Sequence, residues 1–298
     1  MKNIKELQTK LNKVLNLNLL VDGHYGSLTK NAVKTFQQKY KLYVDGIAGN
    51  NTLNRLNIEY NKILKASLLT LNKNRFVIFV DAGHGGIDKN GNYVTSGKRS
   101  YHENLALHDN SNYYEGFENR VVAESFIEEC TKKGVMCIRL YHPYKDTPLS
   151  KRTELVRSWL DQGYYGYLHS FHSNAISSNN SKWKLENTRG FMVFSTIGNN
   201  LSDKIATQHY NNVKKVIGSD AWMYRKQDYK DGDVDFEVNF QILRETNLYE
   251  YTRFGAILEE WGFHTSSKDC QFILNTRKER VEAALMTASW VKNKLLIK

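Results

Sequence analysis

Residues 76–86 read FVIFVDAGHGG. Five aliphatic or aromatic residues run from Phe76 to Val80 and stop at Asp81 and a glycine-rich turn, as a buried strand does when it reaches a loop. The same pattern recurs downstream. Strands are predicted at 135–140, 166–171, 191–195 and 256–260, and the third strand in chain order, 166–171, ends in His172-Ser173-Asn174-Ala175. Helical periodicity lies between them. Residues 117–133 place Val121, Val122, Phe126 and Cys130 on one face, and 149–160, 201–217 and 277–296 also read as helices. Strands alternating with helices predict an α/β domain with a mostly parallel, twisted sheet flanked by helices.

Open α/β sheets carry their sites beyond the carboxyl ends of the strands. His84, His172 and Glu260 fall at such ends, and Glu118 falls where the helix after the first long loop begins. Two imidazoles and a carboxylate leave a tetrahedral zinc one open position, which is the make-up of a catalytic site. A further carboxylate nearby can take a proton from water. Each residue alone has an ordinary reading as a turn, a packed histidine or a partner of the helix macrodipole. Their joint placement is what points to a metal-assisted hydrolase.

The first 57 residues are different in kind. Residues 21–33 read VDGHYGSLTKNAV and residues 44–56 read VDGIAGNNTLNRL, a repeat offset by 23. Each copy has an Asp-Gly turn, a second glycine and a helix start. Ile4, Leu7, Leu11 and Val14 form one amphipathic face, and Leu28, Ala32, Val33, Phe36 and Tyr40 another. A small all-α three-helix domain is therefore expected over 1–57, a helical linker over 58–74 and the α/β catalytic domain over 75–298.

The stretch IKELQTKLN, the two DG–G–T turns and the Phe36-Gln37 pair together resemble the three-helix type of peptidoglycan-binding domain. That resemblance implies attachment to bacterial cell wall. FVDAGHGG, in the company of FENRVV, YLHSFHSNA and LEEWGF, resembles the zinc-dependent N-acetylmuramoyl-L-alanine amidases of type 3 over roughly residues 75–298. The resemblance implies one Zn2+ per chain, held by His84, Glu118 and His172, with Glu260 as the catalytic carboxylate. It also places Arg139, Leu149 and Arg152 where the family carries an arginine and an L-x-x-R. Arg244, in NFQILRET, is expected as a second oxyanion or substrate contact. Ala82 and Trp261 depart from the family's usual proline and small residue. Residues 87–114, which carry His102 and His108, exceed the usual loop and form an insertion beside the metal. That insertion leaves Glu115 as the alternative second ligand. Glu259 is the alternative to Glu260, although it should face the other side of its strand.

The chain has 298 residues, 41% hydrophobic, with a formal net charge of +11. It has no apolar run near the ~20 residues of a membrane span. The basic charge suits an anionic wall, and no helix-turn-helix, zinc-finger or RNP pattern supports nucleic acid. Nine basic against three acidic residues in 1–57 reinforce the wall reading. Cys130, Cys137 and Cys270 have no paired spacing, so free thiols are expected. No signal peptide is read at the start, so synthesis in a host cytoplasm and action on the wall after release, as in a phage endolysin, is the expectation. A monomer is expected. A glycosidase using Glu118 and Glu260, a stem-peptide peptidase and an inactive wall-binding protein are the competing functions.

Overall fold

The structure is a computed structural model that describes residues 4–69, 75–101, 112–197, 200–219, 222–226, 233–245 and 253–296. The chain divides into two compact units, Met1–Asn72 and Lys73–Lys298.

The first unit has three helices, α1 (Ile4–Leu15), α2 (Ser27–Lys39) and α3 (Asn50–Leu69). Leu7, Leu11, Val14, Ala32, Val33, Phe36, Ala48 and Leu56 form its buried cluster. Leu28 stands outside that cluster, 70% exposed in the first turn of α2. The repeat has a physical cause. The side-chain amide of Gln8 donates to Asp22 Oδ1 (2.8 Å), the His24 carbonyl (3.0 Å) and Thr29 Oγ1 (3.0 Å), and Gln8 Oε1 accepts from the Gly23 N–H (2.9 Å). Gln37 makes the same four contacts with Asp45, the Ile47 carbonyl, Thr52 and the Gly46 N–H, at 2.8, 3.0, 3.1 and 2.9 Å. Each turn is thus pinned by one buried glutamine, which satisfies polar groups that burial would otherwise leave costly. Helix α3 continues well past residue 57, through most of the stretch expected as a separate linker. The remainder, 70–74, lies outside the described residues.

The second unit runs β1 (Phe76–Ala82), α4 (Glu115–Lys132), β2 (Met136–Arg139), α5 (Leu149–Asp161), β3 (Tyr165–Asn174), α6 (Lys182–Asn187), β4 (Phe191–Ser195), α7 (Leu201–Ile217), β5 (Phe236–Glu237), α8 (Gln241–Arg244), β6 (Phe254–Phe263), α9 (Ser267–Asn275) and α10 (Arg277–Leu296). The sheet order is β2-β1-β3-β6-β4-β5. Every neighbouring pair is parallel except β4 with β6. β1 is buried along its whole length, as a central parallel strand covered on both faces must be.

Alternation along the strands sorts the core into two layers. Val77, Phe79, Leu168, Ala256 and Leu258 meet residues of α5 and α8 on the front face. On the back face Phe171 meets Phe126 of α4, and Phe191 meets Tyr210 of α7 and Trp261. α10 packs against both α4 and α7. The period of two therefore sends Asp81, His172 and Glu260 forward and His169 and Glu259 back. In the parallel register His172 sits directly beside Glu260, and the register shifts between His172 and Asn174, at the mouth of the sheet.

Candidate metal centre

β1 delivers His84 through a sharp turn. Gly83 precedes it, and a Cβ there would stand 2.0 Å from His172 Cε1, so only glycine lets the two histidines approach. His84 itself has φ +62°, a left-handed conformation that costs an L-residue of order 1–3 kcal/mol. The turn is anchored from below. Asp81 is buried and accepts from Arg152 Nη1 and Ser170 Oγ, both at 2.6 Å. Burial works to raise the Asp81 carboxyl, but the Arg152 guanidinium, with His172 and Ser170, holds it below its ordinary value.

The third element is the amino end of α4. Glu115 is its first residue, where the helix macrodipole favours a carboxylate. Gly116 allows this close approach, since a Cβ there would meet the Gly85 carbonyl at 1.9 Å. Glu115 Oε1 lies 3.1 Å from His172 Nδ1 and 3.3 Å from the Ser173 N–H. Its Oε2 lies 3.4 Å from His84 Nε2 and 3.9 Å from His264 Nδ1, and makes no hydrogen bond among the described residues. Behind it, Ser173 Oγ contacts Tyr113 Oη (3.0 Å) and His264 Nδ1 (3.1 Å), which fixes the wall against which Glu115 rests.

The electrostatics match the donor chemistry. Burial raises the Glu115 carboxyl, yet the His172 contact, with His84 and His264 close by, brings it down to about 2. Burial lowers His84 to about 4, which leaves a neutral imidazole with a lone pair to give. Two imidazole nitrogens and one carboxylate, with one buried carboxylate oxygen unsatisfied, fit a divalent cation of the zinc type. Glu260 borders this group. Burial, with the Glu115 charge adding to it, pushes its carboxyl up to about 8 against the pull of His172, Lys98 and Arg280. His84, Glu115, His172 and Glu260 line one cleft of about 490 Å3, whose other walls include Leu149, Arg152 and Phe240.

Three expected residues stand apart from this group. Glu118 does not reach the histidines. Both its oxygens are taken by Arg277 of α10, at 2.8 and 2.7 Å, and its side chain is buried. Three residues of α-helix displace it by about 4.5 Å from the end where the site lies. Glu115 stands in the place assigned to it. Arg244 ends the single turn α8, is exposed and does not line the cleft, whereas Phe240, Gln241 and Ile242 of the same segment do. Arg139 also lies elsewhere, in an exposed pair with Glu124. Of the insertion, His102 and His108 lie outside the described residues. Its described part supplies Lys98 to the cleft, a residue that no motif in the sequence marked.

A second group of donors occupies the back face. His169, His209 and Glu259 come together fully buried, with His209 Nε2 2.6 Å from Glu259 Oε2. Arg280 Nε donates to the other Glu259 oxygen, and Arg280 Nη2 donates to the His172 carbonyl at 2.8 Å. A guanidinium already neutralises this carboxylate, so the group reads as a buried ion network bracing the strand that carries His172.

Residues 78–289 match the family model described as N-acetylmuramoyl-L-alanine amidase. The chain belongs to this amidase family. Residues 1–56 match the model of a peptidoglycan binding domain. Among curated relatives, the N-acetylmuramoyl-L-alanine amidase CwlM of Mycobacterium tuberculosis is 31% identical over 97 residues, which are 29% of this chain and 24% of that protein. The chain thus matches about a quarter of that relative's length. Among solved structures, the N-acetylmuramoyl-L-alanine amidase of Clostridium difficile 630 superposes with a TM-score of 0.51 at 20% identity, covering 74% of this chain and 97% of that one. The amidase Ami1 of Mycobacterium smegmatis gives a TM-score of 0.51 at 14% identity, with the same coverage of 74% and 97%. At these identities the superpositions speak for the amidase fold alone.

Proposed function

We propose that the protein is a zinc-dependent N-acetylmuramoyl-L-alanine amidase that cuts the amide between the lactyl group of N-acetylmuramic acid and L-alanine, and so lyses cell wall. The observation that carries this reading is the convergence of His84, Glu115 and His172 beside Glu260 in one cleft at the carboxyl ends of β1, β3 and β6. His84, Glu115 and His172 would hold the ion, which when bound supplies a Lewis acid for the amide carbonyl and lowers the pKa of water. Glu260 accepts the proton of the attacking water and returns it to the departing alanine nitrogen, a task that suits a carboxyl whose pKa lies near neutrality. Ser173, Tyr113 and His264 keep Glu115 in place, and Arg152 through Asp81 holds the turn that presents His84.

The N-terminal unit would bind the wall, and its basic charge would draw it to anionic polymer. A wall-binding unit in front of a wall-cutting one fits a lysin of the phage endolysin kind, made in the host cytoplasm and acting once it reaches the wall. The glycosidase alternative loses support from the geometry, because Arg277 holds Glu118 away from Glu260.

The test is digestion of purified peptidoglycan with and without chelator. New amino-terminal alanine, abolished by chelation and restored by zinc, is the expected result. New reducing ends that survive chelation would overturn the proposal.

A further inference from the structure

Lys98 enters the cleft from the start of the insertion, and its placement is fixed by its backbone. Its carbonyl accepts from the Glu115 N–H at 3.0 Å and from the Tyr93 hydroxyl at 3.0 Å, and its N–H donates to the Thr95 carbonyl at 2.9 Å. Tyr93 in turn stacks on Tyr114 and accepts from the Gly116 N–H. The residue is therefore tied to the same helix end that presents Glu115. Lys98 lines the cleft, and its charge is felt at His84, Glu260 and His264.

The other fixed cation of the cleft, Arg152, is consumed by Asp81 and Asp146. The Lys98 ammonium has no carboxylate or hydrogen-bond partner among the described residues. A partly buried cation, positioned by a rigid backbone and left unpaired in a substrate-sized cleft, is an anion-recognition element whose counter-charge arrives with the ligand. The proposed scissile bond ends on L-alanine. The next residue of a stem peptide is a γ-linked D-glutamate, whose α-carboxyl is either a free carboxylate or a carboxamide. We propose that Lys98 is a specificity-determining residue that pairs with this stem-peptide α-carboxylate and makes the enzyme prefer the free acid over the amide. The inference rests on the amidase reading above.

The experiment compares two soluble substrates, N-acetylmuramoyl-L-alanyl-D-isoglutamate and its isoglutamine counterpart, with the wild-type enzyme and with Lys98→Met and Lys98→Arg. A charge-assisted pair predicts a kcat/KM ratio, acid over amide, of about ten or more in the wild type. The ratio is expected to fall toward unity in Lys98→Met, mainly through KM, and to recover in Lys98→Arg. Calorimetric binding of the two product dipeptides to the chelator-treated protein reads the same preference without turnover, and should lose it in Lys98→Met. Cleavage of both substrates without preference in the wild type overturns the role of Lys98 and leaves the amidase reading intact. A fall in kcat of the same size on both substrates in Lys98→Met also overturns it, because that pattern belongs to stabilisation of the reacting oxygen. Cleavage of neither substrate overturns the amidase reading, and the role of Lys98 with it.

Discussion

Glu115 and Glu118 sit three residues apart on α4 and serve different partners: the first carboxylate spans His84 and His172, and the second closes on Arg277. Their substitutions should therefore separate. Glu115→Gln is expected to lose bound zinc and all turnover. Glu118→Gln should keep zinc and lose about 1–3 kcal/mol of stability by leaving Arg277 without its partner. Metal analysis of the two purified variants, with urea unfolding, decides the matter. Zinc retained by Glu115→Gln would return the second ligand to Glu118.

Glu260→Gln removes the proposed proton carrier and leaves His84, Glu115 and His172 untouched. Zinc content should stay stoichiometric while kcat falls by roughly 10²–10⁴. Turnover within a factor of a few of wild type would assign the proton transfer elsewhere.

A buried carboxyl outside the cleft lining gives a pH test. Asp235, next to β5, is fully buried, and no basic side chain pairs with it among the described residues. Burial, with Asp233 and Asp203 nearby, pushes its carboxyl up to about 8 from 3.8. A folded pKa above the unfolded one means that the folded state holds the proton more tightly. Its contribution is complete below about pH 4 and is lost as pH rises through about 8. Asp235→Asn has no proton to lose, so its stability should gain on wild type across that window and level off beyond it. Chemical unfolding at a series of pH values measures the difference, and a difference independent of pH would contradict the assignment.

The glutamine pins should be felt by both binding and stability. Gln37→Leu strands the Gly46 N–H and deprives Asp45 and Thr52 of their shared donor. The N-terminal unit should lose about 1–3 kcal/mol, and the full chain should pellet less with insoluble wall at a temperature where wild type binds. Unchanged melting of that unit would show the pin to be dispensable.

On the back face, Arg280→Met leaves Glu259 buried without its cation. A loss of about 3–5 kcal/mol is expected, because a single member removed from a buried pair exposes the desolvation cost of the other. Substitution of Arg280 and Glu259 together by apolar residues should recover much of it, and thermal unfolding of the single and double variants measures both.

The central strands were legible in the sequence because β1, β3 and β6 are buried on both faces and so open on apolar stretches, Phe76–Val80, Tyr165–Leu168 and Phe254–Leu258, before their polar residues begin. Helix α7 was legible to the residue because Asn200 and Asp203 form a capping box at its start. Helix α4 was not. Its cap is Tyr114, with no side-chain cap bond, so no local signal marks the start at Glu115, and the sequence pattern points to Glu118, one turn later. The better clue was Gly116, a poor helix former whose value is close approach. Arg244 was hard to orient for a related reason, since α8 is a single turn between a two-residue strand and β6, too short for periodicity to show its face. Lys98 belongs to a stretch without periodicity, and only folding brings it to the cleft.

The hydrogen bond from the Glu115 N–H to the Lys98 carbonyl, with Tyr93 bridging to Gly116, makes the rim and the floor of the cleft one mechanical piece. Residues 93–98 and the 114–116 corner are consequently a cassette. An engineer who transplants the loop into another amidase without that corner would carry the cation without its hinge pin. One who swaps the corner alone would loosen Glu115. Exchanged together, they should move substrate preference and ion binding as a single inherited trait.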